Sequence, residues 1–135
     1  MDFEEFANNL NKSDWMGSIC EVGIGLPFQY LFTLIPGASK TLLFAECPYS
    51  KSFQPNDVPR SVSHEMASRY AWRNLHRCIE NDGVQNENLF SIAVSAAHKF
   101  GRDSGQSHGW TSVVTRKKKK ASLRLILFIG EYQKI

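Results

Sequence analysis

The segment from residue 20 to residue 50 constrains the fold of this chain more than any other. Its pattern predicts the end of a strand, a glycine-containing turn, an apolar helix, a tight turn and a second strand. Pro27 falls in the first turn of the predicted helix, where its missing N–H costs nothing, and Pro36 and Gly37 end that helix. A strand, a helix and a strand in this order are typical of an α/β fold.

The remaining segments extend the same pattern. Apolar periodicity and turn residues predict helices over residues 2–10 and from Ser61 or Ser63 to about residue 80, and strands over 15–21, 41–47, 90–96, 110–115 and 123–129. The last two strands read as a hairpin with its turn at residues 117–120. We therefore predict a single α/β domain over residues 1–135, with three layers and a mixed sheet between helices.

Composition narrows the class of protein. Hydrophobic residues make up 42% and charged residues 21% of the chain, and no apolar run reaches the ~20 residues of a membrane span. The acidic N-terminus lacks a signal-peptide pattern, and the three scattered cysteines have neither disulfide nor metal-ligand spacing. We expect a cytoplasmic protein without membrane, metal or cofactor.

The helix predicted over residues 28–34 is apolar almost all round, through Phe28, Tyr30, Leu31, Phe32 and Leu34. Such a helix is typically buried on more than one side. A place in the central core is the first interpretation. The alternative is an interface between the subunits of a homodimer.

Three short motifs with ungapped spacing resemble those of a known family. Residues 20–26 read Cys-Glu-Val-Gly-Ile-Gly-Leu, residues 36–39 read Pro-Gly-Ala-Ser, and residues 49–50 read Tyr-Ser. They resemble the A-E-S-C-T-G-G, P-G-A-S and Y-S-N-x-x-K motifs of the CinA C-terminal domain, or nicotinamide-mononucleotide deamidase, family. Weaker likeness extends the match over about residues 19–131. The resemblance implies a CinA-like three-layer fold, and members of the family are commonly oligomers. The family's last helix has no counterpart before Ile135.

The departures from the family pattern fall on its chemistry. The resemblance implies a serine nucleophile assisted by a lysine, but Val22 stands at the serine position and Gln54 at the lysine position. An isopropyl group cannot attack a carbon, and losing such groups costs several orders of magnitude in rate. We therefore expect no deamidation of nicotinamide mononucleotide.

A retained pocket without catalysis is the first functional hypothesis, with a small phosphorylated, nucleotide-type ligand. Backbone N–H groups after Gly23 and Gly25 would cradle the phosphate at the helix N-terminus. Further candidate ligand-binding residues are Glu21, Ser39, Glu46, Tyr49, Lys99 and Arg102. The competing interpretations are a turn whose glycines serve the backbone, ordinary polar strand ends, and a solvated loop around Lys99 and Arg102.

Nucleic-acid binding is the second hypothesis. It would use the basic run Arg116, Lys117, Lys118, Lys119 and Lys120, extended by Arg69, Arg73 and Arg77 if these lie on the same side. A net charge of only +3 equally fits a solvated hairpin turn. The third hypothesis is a diverged amidohydrolase that uses Ser39 or Ser50 near Lys51.

Overall fold

The computed structural model describes residues 2–23, 27–81, 84–97 and 106–131, with the backbone alone at 106–107 and 125–131. The elements in chain order are α1 (Phe3–Asn11), β1 (Met16–Val22), α2 (Pro27–Thr33), α3 (Ala38–Thr41), β2 (Leu42–Glu46), a 3-10 turn (Lys51–Phe53), α4 (His64–Glu80), β3 (Asn88–Ala97), β4 (Gln106–Lys117) and β5 (Lys120–Glu131).

The five strands form one mixed sheet in the order β2-β1-β3-β4-β5. Strand β1 pairs in parallel with β2 and with β3, and β4 and β5 are added antiparallel. The predicted α/β class with a mixed sheet and an antiparallel addition at its end is confirmed. Because parallel strands share their direction, the carboxyl ends of β1, β2 and β3 lie together on one side of the sheet.

Alternate residues of β1 face different helices, which places helices on both sides of the sheet. Cys20 and Val22 belong to the core that α4 covers, whereas the Glu21 carboxylate reaches the backbone of α2. Successive side chains of a strand point to opposite faces, so α2 and α4 lie in different layers. Helices α1, α2 and α3 share a smaller apolar cluster around Phe32.

Helix α4 begins where a side chain caps it. Ser63 accepts a hydrogen bond of 3.1 Å from the backbone N–H of Met66, so Ser63 rather than Ser61 is the N-cap. The buried side of α4 carries Tyr70 and Leu75, which pack with Leu89 of β3 and Val114 of β4. This contact holds the helix across the middle of the sheet.

Helix α2 is not buried on more than one side, so its interpretation as central core is wrong. Phe32 is 1% exposed, but Tyr30, Leu31 and Leu34 expose 62%, 49% and 61% of their surface. The reason is that α2 lies in the outer layer and contacts the rest of the protein through one side. Only Phe32 of α2 is therefore buried in the smaller apolar cluster, and the other large apolar side chains of its outer face are exposed.

Strand β2 differs from the prediction in a similar way. A continuous apolar strand is typical of a position covered on both faces, yet β2 is at the edge of the sheet and all its residues are half-buried. The predicted tight turn before it contains the short helix α3, which Gly37 precedes with a φ of 92°.

Candidate functional site

The candidate site lies where β1, β2 and β3 end and where α4 begins. Ser95 near the end of β3 joins these parts: its hydroxyl donates to the carbonyl of Ser61 and accepts from the backbone N–H of Ser63 at 3.1 Å. In open α/β sheets, ligands bind outside the carboxyl ends of the strands. The predicted site residues at or just after these carboxyl ends are Glu21, Gly23, Glu46 and Tyr49.

Glu21 is 1% exposed and already occupies the start of α2. Its carboxylate accepts hydrogen bonds from the backbone N–H groups of Phe28, at 2.8 Å, and Gln29, at 3.2 Å. Burial raises the pKa of the Glu21 carboxyl, and the two N–H donors oppose that rise. The helix N-terminus predicted to cradle a phosphate is thus satisfied by a carboxylate of the chain itself.

Gly23 follows β1 and has a backbone reason to be glycine. Its φ is 90°, and a Cβ at this position would lie 2.3 Å from the carbonyl oxygen of Ala96. Both facts exclude a side chain, which supports the interpretation of this glycine as a requirement of the turn. Gly25, the other glycine of the predicted cradle, lies outside the described residues.

Gln54, which the motif resemblance aligns with the family's lysine, joins two parts of the loop between β2 and α4, and we call this arrangement the Gln54 clamp. Its amide group donates to the carbonyl of Tyr49 at 3.2 Å, and its oxygen accepts from the Ser61 hydroxyl at 2.6 Å. Gln54 is 5% exposed. Val22, which the motif resemblance aligns with the family's serine, is 1% exposed and belongs to the core under α4. Both side chains therefore have packing or hydrogen-bonding roles.

Lys51 is committed to the same loop. Its ammonium group donates to the carbonyls of Val58, at 3.1 Å, and Pro59, at 2.9 Å. Ser50 shares a hydrogen bond of 2.8 Å with the hydroxyl of Ser52. Ser39 is exposed on the short helix α3. No hydrogen bond between the Lys51 ammonium group and the hydroxyl of either serine is found in the part of the chain that the structure describes, so the geometry gives the amidohydrolase hypothesis no support.

Glu46 at the end of β2 is bound to α4 rather than open to a ligand. Its two carboxylate oxygens accept from the Asn74 amide at 2.8 Å and from the Arg77 guanidinium at 3.0 Å. The Cys20 thiol is also hydrogen-bonded to Glu46, and its pKa is raised far above the usual range by burial and by the nearby carboxylate. This network ties the edge strand β2 to α4 and leaves Cys20 a protonated thiol.

Two of the open clefts that the described residues line lie at the carboxyl ends of β1, β2 and β3. One, of about 360 Å³, follows β2, and its lining includes Glu46, Tyr49 and Phe53. Tyr49 and Phe53 are 72% and 80% exposed. We call it the β2-end cleft.

The second cleft, of about 290 Å³, lies at the start of α4, and its lining includes Arg60, His64 and Trp110. The rings of His64 and Trp110 meet edge to face, with their centroids 5.4 Å apart. We call it the α4-start cleft. The sequence analysis missed these three residues. Arg60 and His64 lie close in sequence to the predicted cap at Ser63, and this proximity could have pointed to them. Nothing local in the sequence points to Trp110, because the pairing of β3 with β4 brings it to this cleft.

The arginines of α4 are engaged within the molecule. Arg69 makes a two-pronged ion pair with Asp57, and the guanidinium of Arg77 lies 4.2 Å above the ring of Phe44 while it binds Glu46. The guanidinium of Arg73 lies 5.8 Å from the centre of the Tyr70 ring. Phe44 belongs to the edge strand β2, so this stripe faces that side of the sheet.

The basic run lies elsewhere. Lys118 and Lys119 form the two-residue turn between β4 and β5, as predicted, and Lys117 pairs with Lys120 across it. Strands β1 and β3 separate this hairpin from β2, so the run and the arginine stripe do not form one continuous surface. Lys99 and Arg102 of the predicted ligand site lie outside the described residues.

No group of three or more His, Cys, Asp or Glu side chains that could hold a metal ion is found among the described residues. No helix within residues 2–23, 27–81, 84–97 and 106–131 is long and apolar enough to cross a membrane.

The mixed five-stranded sheet with helices on both faces defines a three-layer α/β protein. Its fold is that of the CinA superfamily. The competence/damage-inducible protein CihA from Agrobacterium tumefaciens superposes with a TM-score of 0.64 at 17% identity, over 96% of this chain and 81% of that one. A CinA superfamily protein from Escherichia coli gives a TM-score of 0.63 at 13% identity, over 95% and 76%. A CinA superfamily protein from Klebsiella pneumoniae gives 0.62 at 13%, over 97% and 86%.

At these identities the likeness is one of fold. No family model matches the sequence, and no curated protein is similar to it.

Proposed function

We propose that this protein is a non-catalytic CinA-like domain that binds a small phosphorylated ligand of the nucleotide type, as a sensor or a sequestering protein. The observation that carries the proposal is that Gln54 hydrogen-bonds both Tyr49 and Ser61 and so has a structural role. The motif resemblance aligns Gln54 with the family's catalytic lysine. Val22 supports the same proposal, because a valine side chain has no group that can act as a nucleophile.

The start of α4 is the best place for the phosphate. The N–H groups of Phe28 and Gln29 donate to Glu21. Helix α4 has 17 residues, its cap Ser63 accepts from the N–H of Met66, and its first turn borders an open cleft. The dipole of such a helix favours negative charge at its N-terminus. Arg60 and His64 are exposed beside it, and a guanidinium is well suited to bidentate contact with phosphate.

Aromatic rings supply the second part of a nucleotide site. Trp110 lines the α4-start cleft, and Tyr49 and Phe53 present exposed rings in the β2-end cleft. A flat base binds readily against such rings, because stacking on an aromatic side chain contributes about 1–3 kcal/mol. The proposal therefore places phosphate recognition on Arg60 and His64 and base recognition on the neighbouring aromatic residues.

A thermal-shift panel tests the proposal, with AMP, nicotinamide mononucleotide, NAD and ADP-ribose as probes. A probe at 100 times its dissociation constant stabilises the folded state by about 2.7 kcal/mol, which raises the melting temperature by about 10 °C. We expect such a shift with at least one probe, and its loss in R60A and H64A. The exposed Lys12, which is the C-cap of α1, provides the control variant K12A.

Two results would overturn the proposal. One is a panel in which no phosphorylated probe shifts the melting temperature of the wild-type protein. The other is repeated turnover of nicotinamide mononucleotide, measured as released ammonia, which would restore the amidohydrolase hypothesis.

A further inference from the structure

The turn between β4 and β5 concentrates positive charge at one tip of the sheet. Arg116, Lys117, Lys118, Lys119 and Lys120 are consecutive, and the four lysines are exposed. The backbone N–H of Lys118 donates to the carbonyl of Glu87 at 3.2 Å, which ties the turn to the segment before β3. We call residues 116–120 the basic turn.

The conformation of the basic turn is unfavourable for the residues that form it. Lys118 and Lys119 have φ values of 48° and 73°, in the left-handed region. Two-residue hairpin turns with positive φ at both positions favour Asn-Gly, because an L-residue with a Cβ pays roughly 1–2 kcal/mol there. The chain thus keeps two lysines where asparagine and glycine would be more stable, and such strain collects at functional positions.

The charges of the basic turn are not neutralised locally. Within the described residues, none of the five cations lies within 4.0 Å of a carboxylate, whereas Arg69 and Arg77 of α4 are both in ion pairs. The basic turn is therefore a place where the described surface offers five consecutive positive charges that no carboxylate compensates.

We propose that the basic turn binds the phosphate backbone of double-stranded DNA. Clustered lysines release counterions from a duplex, and a two-stranded β-ribbon is narrow enough to enter its major groove. No aromatic side chain occurs in residues 115–122, so the basic turn has no ring on which the bases of a single strand could stack. The same residues lack the large apolar side chains that anchor interfacial segments in a bilayer, which favours DNA over a membrane surface.

The test uses the variant K118N/K119G, which places the preferred residues at both strained positions. It removes two charges while it favours the hairpin, so a loss of binding cannot come from unfolding. The control K12Q/K40Q removes two exposed lysines outside the basic turn, one at the C-cap of α1 and one on α3, and lowers the net charge by the same amount, from +3 to +1. Binding to a fluorescent DNA duplex of mixed sequence is measured by anisotropy.

Salt dependence gives the expected numbers. If all five cations contact phosphate, raising salt from about 50 to about 200 mM weakens wild-type binding roughly 500-fold, and three remaining contacts give roughly 40-fold for K118N/K119G. We expect K12Q/K40Q to keep the wild-type salt dependence.

Three outcomes would overturn the proposal. They are the absence of wild-type binding to the duplex at low salt, equal salt dependence in K118N/K119G and wild type, and binding to vesicles of phosphatidylserine and phosphatidylcholine without binding to the duplex.

Discussion

The carboxylate of Glu21 on β1 accepts a hydrogen bond of 2.8 Å from the backbone N–H of Phe28 on α2. This bond turns a candidate ligand-binding group into the cap of a helix that lies in another layer. It also explains how a short helix is held against the sheet, since the same carboxylate binds the N–H of Gln29.

Replacing Glu21 tests this role. We expect E21A to lower the free energy of unfolding by about 2 kcal/mol, because two N–H groups at the start of α2 lose their acceptor. Denaturant unfolding of E21A and wild type measures the difference. An unchanged stability in E21A would show that the cap is not needed.

The pH dependence of stability gives an independent test of the same group. The folded-state pKa of Glu21 lies above its ordinary value of 4.5, so the folded protein holds this proton more tightly than the unfolded chain. Stability contributed by Glu21 is therefore full below about pH 4.5 and decreases as the pH rises through the folded-state pKa. We expect wild type to lose stability relative to E21Q over that window, measured by unfolding at a series of pH values. The opposite slope would contradict the raised pKa.

The Gln54 clamp makes a prediction about the loop that precedes α4. Q54L keeps the approximate shape of the side chain but leaves the Ser61 hydroxyl and the Tyr49 carbonyl without their partner. We expect a loss of about 1–3 kcal/mol in the free energy of unfolding. The exposed Gln85 supplies the matched variant Q85L, for which we expect a change close to zero. Similar losses of stability in Q54L and Q85L would show that the hydrogen bonds of Gln54 do not stabilise this loop.

Gly23 and Gly37 form a natural pair of variants, because both have φ near 90° but only Gly23 lacks space. A Cβ at Gly37 would make ordinary contact with Asn11 at 3.4 Å, whereas at Gly23 it would lie 2.3 Å from a backbone oxygen. We expect G37A to cost about 1–2 kcal/mol for its φ alone, and G23A to cost clearly more. Thermal unfolding measures both variants. Equal losses of stability would show that the backbone of β3 shifts at Ala96 to make room for the added Cβ.

The exposed face of α2 predicts self-association. Tyr30, Leu31 and Leu34 present apolar surface that no described residue covers, and a second copy of the chain is the partner we expect. Sedimentation velocity would show a dimer that becomes monomeric in L31E/L34E. A monomeric wild type at high concentration would contradict this. K12E/K40E provides a control with two added carboxylates outside the patch.

Local sequence patterns were enough to predict the order of the longer helices and strands and the lysines in the last turn, and to narrow the cap of α4 to Ser61 or Ser63. A helix stripe, an N-cap and a hairpin turn are each encoded by residues a few positions apart, so they can be read without the fold. The spacing of the motifs around residues 20–50 carried the likeness to the CinA fold for the same reason.

What only the tertiary structure decided is where separate segments meet. The capping of α2 by Glu21, the binding of Glu46 by Asn74 and Arg77, and the arrival of Trp110 beside His64 depend on strand order and layer packing. The exposure of α2 and the edge position of β2 follow from the same packing, because burial depends on what covers a segment. A side chain's chemistry is fixed by the sequence, but its partners, and hence its role, are fixed by contacts between residues far apart in the chain.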